Sequence, residues 1–258
     1  MAVELPEGGW MRLPFDPALA AWAAHADGAA KAAEAAAPAD MIRCDGTWYV
    51  GVNALPNDGA GRLPGGPPLP DALGDVARAV GGRAFQMDRA QASVCHTGYP
   101  RKGAEEEAAY GYRLRRDAAH VDGLLPIGPD RRRKLMERHA LILGLPLNEA
   151  PEGAAPFVIW EGSHEVMREA FRAAFADAPP STWAERDVTE VYHAARRRCF
   201  ETLARVEIAA KPGEAYIAHR LSLHGVAPWG EAAPGRRAVA YFRPDPGGHD
   251  DDWWLSAP

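Results

Sequence analysis

The stretch that decides the fold is KPGEAYIAHRLSLHG (residues 211–225), which is followed after a short connection by RRAVAYF (residues 236–242). A Pro-Gly turn opens the first segment, and an apolar run then leads toward His224. The second segment mixes small, β-branched and aromatic residues, a composition typical of a strand. Two such segments joined by a Gly- and Pro-containing connection predict antiparallel strands near the end of the chain.

Working outward, the same composition recurs along the chain. Further strands are predicted at 47–52, 92–96, 110–114 (running toward His120), 140–145, 157–160 and 206–210, and helices at 18–38, 71–80, 163–176 (capped by Ser163) and 187–204. The Gly/Pro-rich residues 55–70 are predicted to be a loop. The pattern favours a mainly β protein with a helical flank (α+β), specifically a cupin-like double-stranded β-helix, or jelly roll.

We expect residues 1–258 to form a single domain. Within it, residues 1–90 would be a helical and loop flank, residues 90–243 the jelly-roll core, and residues 163–204 a helical insert in that core. A β-rich domain of this length is common.

Composition restricts the partners. The net charge of −6 gives no general attraction to nucleic acid or anionic lipid. No apolar run approaches membrane-spanning length, and no signal-peptide pattern opens the sequence. The three scattered cysteines predict no disulfide framework. We therefore expect a cytoplasmic protein with a small-molecule substrate, without nucleic-acid or membrane partners, and leave its oligomeric state open.

The motif His-x-Asp occurs three times, and the three copies differ in the predicted element in which they lie. His25-Ala-Asp27 lies in a predicted helix, where residues two apart point to different sides. His249-Asp-Asp251 lies near the end of the sequence, with no histidine after it. His120-Val-Asp122 ends a predicted strand, where residues two apart share a face. Only the third copy is therefore expected to direct both side chains at one ion.

His224 adds a third candidate ligand. Two histidines and one carboxylate on one face of an iron leave three positions open, as in oxygen-activating Fe(II) enzymes. A bidentate 2-oxoglutarate would fill two positions, O2 would take the third, and Arg236 suits the distal carboxylate. Two alternatives stay open: a zinc-dependent hydrolase with the same ligands, and a non-catalytic jelly-roll protein that binds a metal or ligand.

These motifs resemble the phytanoyl-CoA dioxygenase family of 2-oxoglutarate/Fe(II) oxygenases. The matching pieces are HVDG at 120–123, FVIWEGSH at 157–164, HG at 224–225 and the Arg-x-Ala pattern from Arg236, so the resemblance spans residues 90–243. It implies His120, Asp122 and His224 as iron ligands, Arg236 as the residue that holds 2-oxoglutarate, and release of succinate and CO2. Since the family's halogenating relatives lack the ligand aspartate, Asp122 favours hydroxylation.

Two positions depart from that family pattern. Glu161 replaces the proline of a Pro-Gly-Ser-His turn, and Val226 replaces a serine that in many members helps to hold the distal carboxylate.

Several other residues are candidates for the pocket. Tyr112 and Arg116 would share a face with His120 if the strand is unbroken, and Trp229 follows the second histidine closely. His96 could also line the pocket, whereas His164 is expected at a helix start and His219 in a strand or behind the ligands. The basic runs 131–134 and 196–198 are expected on solvated faces, and residues 250–254 as a tail tucked down by its tryptophans.

Overall fold

The fold is known from a computed structural model that describes residues 5–231, 233–248 and 250–256. The strands are β1 (Trp10–Leu13), β2 (Ile42–Arg43), β3 (Trp48–Tyr49), β4 (Gln91–His96), β5 (Leu124–Ile127), β6 (Arg132–Leu135), β7 (Leu141–Pro146), β8 (Phe157–Trp160), β9 (Arg205–Ile208), β10 (Ala215–His219), β11 (His224–Val226) and β12 (Arg236–Phe242). The α-helices are α1 (Pro17–Ala35), α2 (Asp71–Gly81), α3 (Glu107–Arg116), α4 (Ser163–Phe175), α5 (Thr189–Thr202) and α6 (Trp253–Ser256), with 3-10 helices at Ala39–Met41 and Pro180–Glu185.

The strands form two sheets that face each other. The major sheet has the order β1-β10-β7-β12-β4-β3-β2, the minor sheet the order β11-β8-β9, and β5 and β6 form a separate hairpin. The pairings within them are antiparallel. This arrangement is a jelly roll with helices on its flanks, so the predicted fold class is confirmed.

Alternation of side chains along the strands sorts the core into layers. The space between the sheets is filled by the interior cluster, to which the two sheets contribute Ile142, Phe157, Ile159, Ile208, Tyr216, Ala218, Val239 and Tyr241. The outer face of the major sheet packs against α1 and α2 through a second cluster that includes Ala238 and Ala240. The outer face of the minor sheet packs against α4, α5 and α6 through a third.

Several predicted elements differ from the structure. Residues 110–114, predicted as a strand, lie within α3. Glu107 in its first turn and Arg113, Arg115 and Arg116 in its last turn match the helix dipole, which favours this conformation. The start of α4 also differs, because Gly162 is its N-cap and the Ser163 hydroxyl instead accepts a hydrogen bond from Leu223 N at 2.9 Å.

The predicted helical and loop flank also supplies strands. β1 pairs with β10, and β3 pairs with β4, so both edges of the major sheet come from the first 50 residues. Part of the basic run 131–134 is strand β6, where Arg132 pairs with Asp187 and Glu190. Among the described residues, no helix combines the length and apolar character needed to cross a bilayer.

Candidate metal centre and co-substrate pocket

His120, Asp122 and His224 meet at one point. One ligand atom from each residue lies within 4.8 Å of the others. Among the described residues, these three side chains form the group of His, Cys, Asp or Glu that could hold a metal ion. His120 Nε2 lies 3.2 Å from Asp122 Oδ1, and His224 Nε2 lies 3.5 Å from Asp122 Oδ2. The structure thus brings together the three residues that the sequence singled out.

The backbone sets this geometry. His120 is not part of a long strand but forms an isolated bridge with His224, through hydrogen bonds from His120 N to His224 O (2.8 Å) and from His224 N to His120 O (3.0 Å). The preceding residues Asp117 and Ala118 have positive φ values of 54° and 52°. The Asp117 carboxylate fixes this turn by a two-pronged contact with Arg205 at 2.7 and 3.0 Å.

Both histidines present the nitrogen that a metal needs. His120 Nδ1 lies 3.0 Å from the Ala118 carbonyl, and His224 Nδ1 lies 2.9 Å from the Ser222 carbonyl. Because a carbonyl only accepts, each Nδ1 must carry the hydrogen and each neutral ring offers its Nε2 lone pair. His224 Nε2 is buried and has no hydrogen-bond partner. Burial lowers the pKa of His224, which favours this neutral form. A divalent metal fits this donor set.

Arg243 lies beside the carboxylate of the triad. Its Nε donates to Asp122 Oδ2 at 2.5 Å, and one of its terminal nitrogens donates to Gln91 Oε1 at 2.6 Å. Burial alone would raise the pKa of Asp122, but Arg243 and the two histidines hold it well below its usual range. Arg243 was not among the residues that the sequence motifs indicated. Its position in the sequence could have indicated it. Arg243 lies two residues after Tyr241, so it continues the inward-facing series Arg237, Val239 and Tyr241 one residue beyond the end of β12.

The two arginines at the start of β12 lie on opposite faces, and Arg236, which the sequence favoured for 2-oxoglutarate, does not face the space between the sheets. Arg236 points outward to α1, where it pairs with Asp27 at 2.5 Å and Glu34 at 3.4 Å. Arg237 points between the sheets, is 7% exposed, and donates to the Tyr241 hydroxyl at 3.2 Å. Its other terminal nitrogen is buried without a partner. Arg237 therefore offers an unpaired donor between the sheets, whereas the unpaired terminal nitrogen of Arg236 belongs to a side chain on the outer face.

Two of the three further pocket candidates lie elsewhere. Because residues 110–114 are helical, Tyr112 and Arg116 pack against Phe200 of α5. The ring centroids of Tyr112 and Phe200 are 6.4 Å apart, and the guanidinium carbon of Arg116 lies 4.6 Å from the Phe200 ring centroid. This position is outside the space between the sheets. Trp229 does line that space: it packs with Val226 and Tyr99, and its indole N–H is buried without a partner.

The other histidines that the structure describes lie outside the triad. His25 contacts the Pro64 carbonyl, and His96 pairs with Glu34 on the outer face. His164 and His219 lie against each other, with ring centroids 4.9 Å apart. His249 lies outside the described residues. Of the predicted tail, Trp253 and Trp254 are buried in the third cluster rather than resting on the surface.

Several solved structures have a similar fold, including these two. A non-heme α-ketoglutarate-dependent carbocyclase, SnoK from nogalamycin biosynthesis, matches with a TM-score of 0.54 and 14% identity, over 93% of this chain and 81% of that chain. EctD from S. alaskensis with bound Fe matches with a TM-score of 0.52 and 18% identity, over 96% of this chain and 79% of that chain. No protein-family model matches the sequence, and no curated protein matches it. The chain thus has the jelly-roll fold of these two proteins.

Proposed function

We propose that the protein is a non-haem Fe(II)- and 2-oxoglutarate-dependent dioxygenase that hydroxylates a small-molecule or acyl substrate. The observation that carries this proposal is the triad itself, in which two imidazole lone pairs and an ionised carboxylate are directed at one point. The resemblance of the motifs to phytanoyl-CoA dioxygenases and the two structural matches support it. A single domain over residues 1–258 and a cytoplasmic location remain predictions from the sequence.

Each residue of the centre has a task. His120, Asp122 and His224 would hold Fe(II), which together with 2-oxoglutarate and O2 supplies the oxidative decarboxylation that yields succinate, CO2 and an oxidant for a C–H bond. Arg237 would bind the distal carboxylate of 2-oxoglutarate through its unpaired nitrogen. Arg243 would orient Asp122 by holding one carboxylate oxygen and leaving the other for the metal.

The alternatives make less use of these residues. A zinc hydrolase would use the triad but would leave a buried, charged arginine between the sheets without a task. A non-catalytic metal-binding protein would use the two histidines and Asp122 but would likewise leave the buried Arg237 without a task. Among oxidative outcomes, hydroxylation is favoured over halogenation because Asp122 stands at the carboxylate position.

The test is spectroscopic and chemical. Anaerobic addition of Fe(II) and 2-oxoglutarate should give the weak visible charge-transfer band of the chelate, and admission of O2 should then release succinate. His120→Ala, Asp122→Ala and His224→Ala should each abolish the band. The matched control is His25→Ala, since His25 belongs to another His-x-Asp pair and lies against Pro64. A band that survives all three substitutions would reject the proposed centre.

A further inference from the structure

An aromatic cluster borders the proposed centre between the two sheets. Its largest members are Trp48, Tyr99 and Trp229, packed with Cys95 and Val226. Val226 lies two residues after His224 on β11, and therefore on the same face. Cys95 is the β4 partner of Arg237. The cluster thus lies next to both a metal ligand and the proposed co-substrate arginine.

Helix α3 directs Arg113 into this cluster. The guanidinium carbon lies 5.0 Å from the Trp48 ring centroid, and a terminal nitrogen donates to the Tyr99 hydroxyl at 3.2 Å. Arg113 Nε is buried without a hydrogen-bond partner. Among the described residues, no carboxylate forms an ion pair with Arg113, although Glu105 is close enough to act on its charge. A half-buried cation in this position lacks the anion that such groups normally have.

A second unsatisfied donor lies in the same cluster. Trp229 is held by a hydrogen bond from its backbone N to the Tyr99 carbonyl at 2.6 Å, and its indole N–H is buried without an acceptor. Leaving a buried donor unpaired is unfavourable, so the position suits a ligand that supplies an acceptor. Tyr99 therefore contacts two residues, Arg113 and Trp229, that each have one buried N–H without an acceptor, Nε of Arg113 and the indole nitrogen of Trp229.

We propose that this cluster is the substrate subsite and that Arg113 binds a carboxylate of the substrate, whose apolar body packs against Trp48, Tyr99 and Trp229. The substrate class is a small organic carboxylic acid. The assignment deepens the proposed function and rests on it for the chemistry, but binding to Arg113 needs no turnover. Guanidinium and carboxylate are the pair that forms the strongest two-pronged contact.

Glu105 is the internal competitor for Arg113. One of its oxygens accepts from Gly103 N at 3.3 Å, while the other is buried without a partner. A rotation of Glu105 toward Arg113 would neutralise the site without a ligand. Glu105→Gln removes this competitor, so the subsite assignment predicts that carboxylate binding is retained or strengthened in that variant.

The test uses a panel of small apolar and aromatic carboxylic acids, each paired with its primary amide, and measures binding to the purified protein by ligand-observed NMR. Acids should bind in preference to their amides. Arg113→Gln should weaken acid binding by roughly ten- to hundredfold and leave amide binding unchanged, because a charge-assisted contact is lost. Arg115→Gln is the matched control, since Arg115 is an exposed arginine on the same helix. It should bind like the wild type.

Arg237 is a second candidate carboxylate site, so Arg237→Gln is measured in parallel. Acid binding that survives Arg113→Gln but is lost in Arg237→Gln would overturn the assignment, as would equal binding of acids and amides or no binding of any acid. Folding of each variant is checked by its thermal unfolding transition. Loss of the Fe(II)/2-oxoglutarate band with retained, Arg113-dependent acid binding would reject the proposed enzyme but not the subsite.

Discussion

Gly225 follows a candidate metal ligand, His224, and lies beneath the turn that carries the other histidine. A Cβ at this position would stand 2.2 Å from the Asp117 carbonyl oxygen, which is a backbone atom and has little freedom to move. Val226 N also donates to that carbonyl at 3.0 Å. The His-Gly pair in the sequence thus has a physical reason: the two ligand-bearing segments cross too closely for any side chain.

We therefore expect Gly225→Ala to separate the two segments. Overpacking of this kind costs about 1–3 kcal/mol of unfolding free energy, and the shift of His224 relative to His120 should also weaken Fe(II) binding. Urea unfolding and a metal titration measure the two effects. Gly230→Ala is the control, because its Cβ would meet its nearest neighbour, Gly153 O, at an ordinary 3.5 Å. Equal behaviour of the two variants would contradict this explanation.

A second residue-scale prediction concerns Arg243. Arg243→Leu would leave Asp122 buried without its cation, and breaking a buried pair costs about 3–5 kcal/mol at neutral pH. Because the pKa of Asp122 is held low in the folded protein, the stabilisation is present above the unfolded-state value and is lost as the pH falls through the folded-state value. The stability difference between wild type and variant should therefore shrink in acid.

Urea unfolding of the metal-free protein at several pH values measures this difference. Arg243→Lys keeps the positive charge and should recover part of the stability. A variant Arg243→Leu that matches the wild type at neutral pH would show that the contact with Asp122 contributes nothing.

At the scale of elements, β12 assigns adjacent arginines to two different layers. Arg237→Gln should raise the 2-oxoglutarate requirement by roughly ten- to hundredfold and leave Fe(II) binding nearly intact. Arg236→Gln should leave the 2-oxoglutarate requirement unchanged and lower the unfolding free energy by roughly 1–3 kcal/mol, because it removes the link from β12 to α1. Succinate titrations and urea unfolding distinguish the two. The reverse pattern would show that Arg236, and not Arg237, faces the space between the sheets.

Alternation along β12 predicts that these arginines face opposite ways, and the Arg-x-Ala pattern favoured Arg236, whereas Arg237 is the one that faces inward. Ala238 and Ala240 share the face of Arg236, and small residues on a strand are compatible with a ligand packed against them. In the structure their small size serves a close approach of helix to sheet, since the buried face of α1 is itself built from Ala23, Ala26 and Ala30. Small residues leave space for a neighbouring helix as well as for a substrate, and alternation alone cannot separate the two.

Helix α3 differs from β12, because the sequence contained the information that predicts its conformation. The aromatic alternation in residues 110–114 favoured a strand, but three glutamates stand at 105–107 and three arginines between 113 and 116. This distribution of charge suits a helix dipole and not a strand. The error displaced Tyr112 and Arg116 from the pocket and concealed Arg113. The jelly roll and the triad were nevertheless predictable, since they depend on strand composition and on one spacing.

At the scale of the whole molecule, a buried arginine ties the last helix to the fold. Arg220 is 1% exposed and donates to the carbonyls of Trp254 (3.0 Å), Trp253 (3.2 Å) and Ala140 (3.1 Å). Trp254 is also 1% exposed and packs against Phe171 of α4 at 5.6 Å. The final segment is therefore part of the core, although its polar start had indicated a surface tail.

We expect Trp254→Ala to destabilise the whole protein. Loss of a buried tryptophan costs about 3–5 kcal/mol, and detachment of α6 would also deprive Arg220 of two carbonyl acceptors. Urea unfolding should show the full loss in one transition. Val52→Ala is the control, because Val52 is 52% exposed and should change stability little. A separate early transition for Trp254→Ala would show that α6 is independent of the core.

The pairing of β1 with β10 also has a consequence for biosynthesis. Trp10 lies opposite Ala218, so one edge of the major sheet joins residues about two hundred positions apart. At translation rates of about 5–20 residues/s, β1 waits on the order of 10–40 s for its partner to be made. During that time its open backbone is exposed to other chains. The high contact order predicts slow folding, with closure of this edge among the last steps.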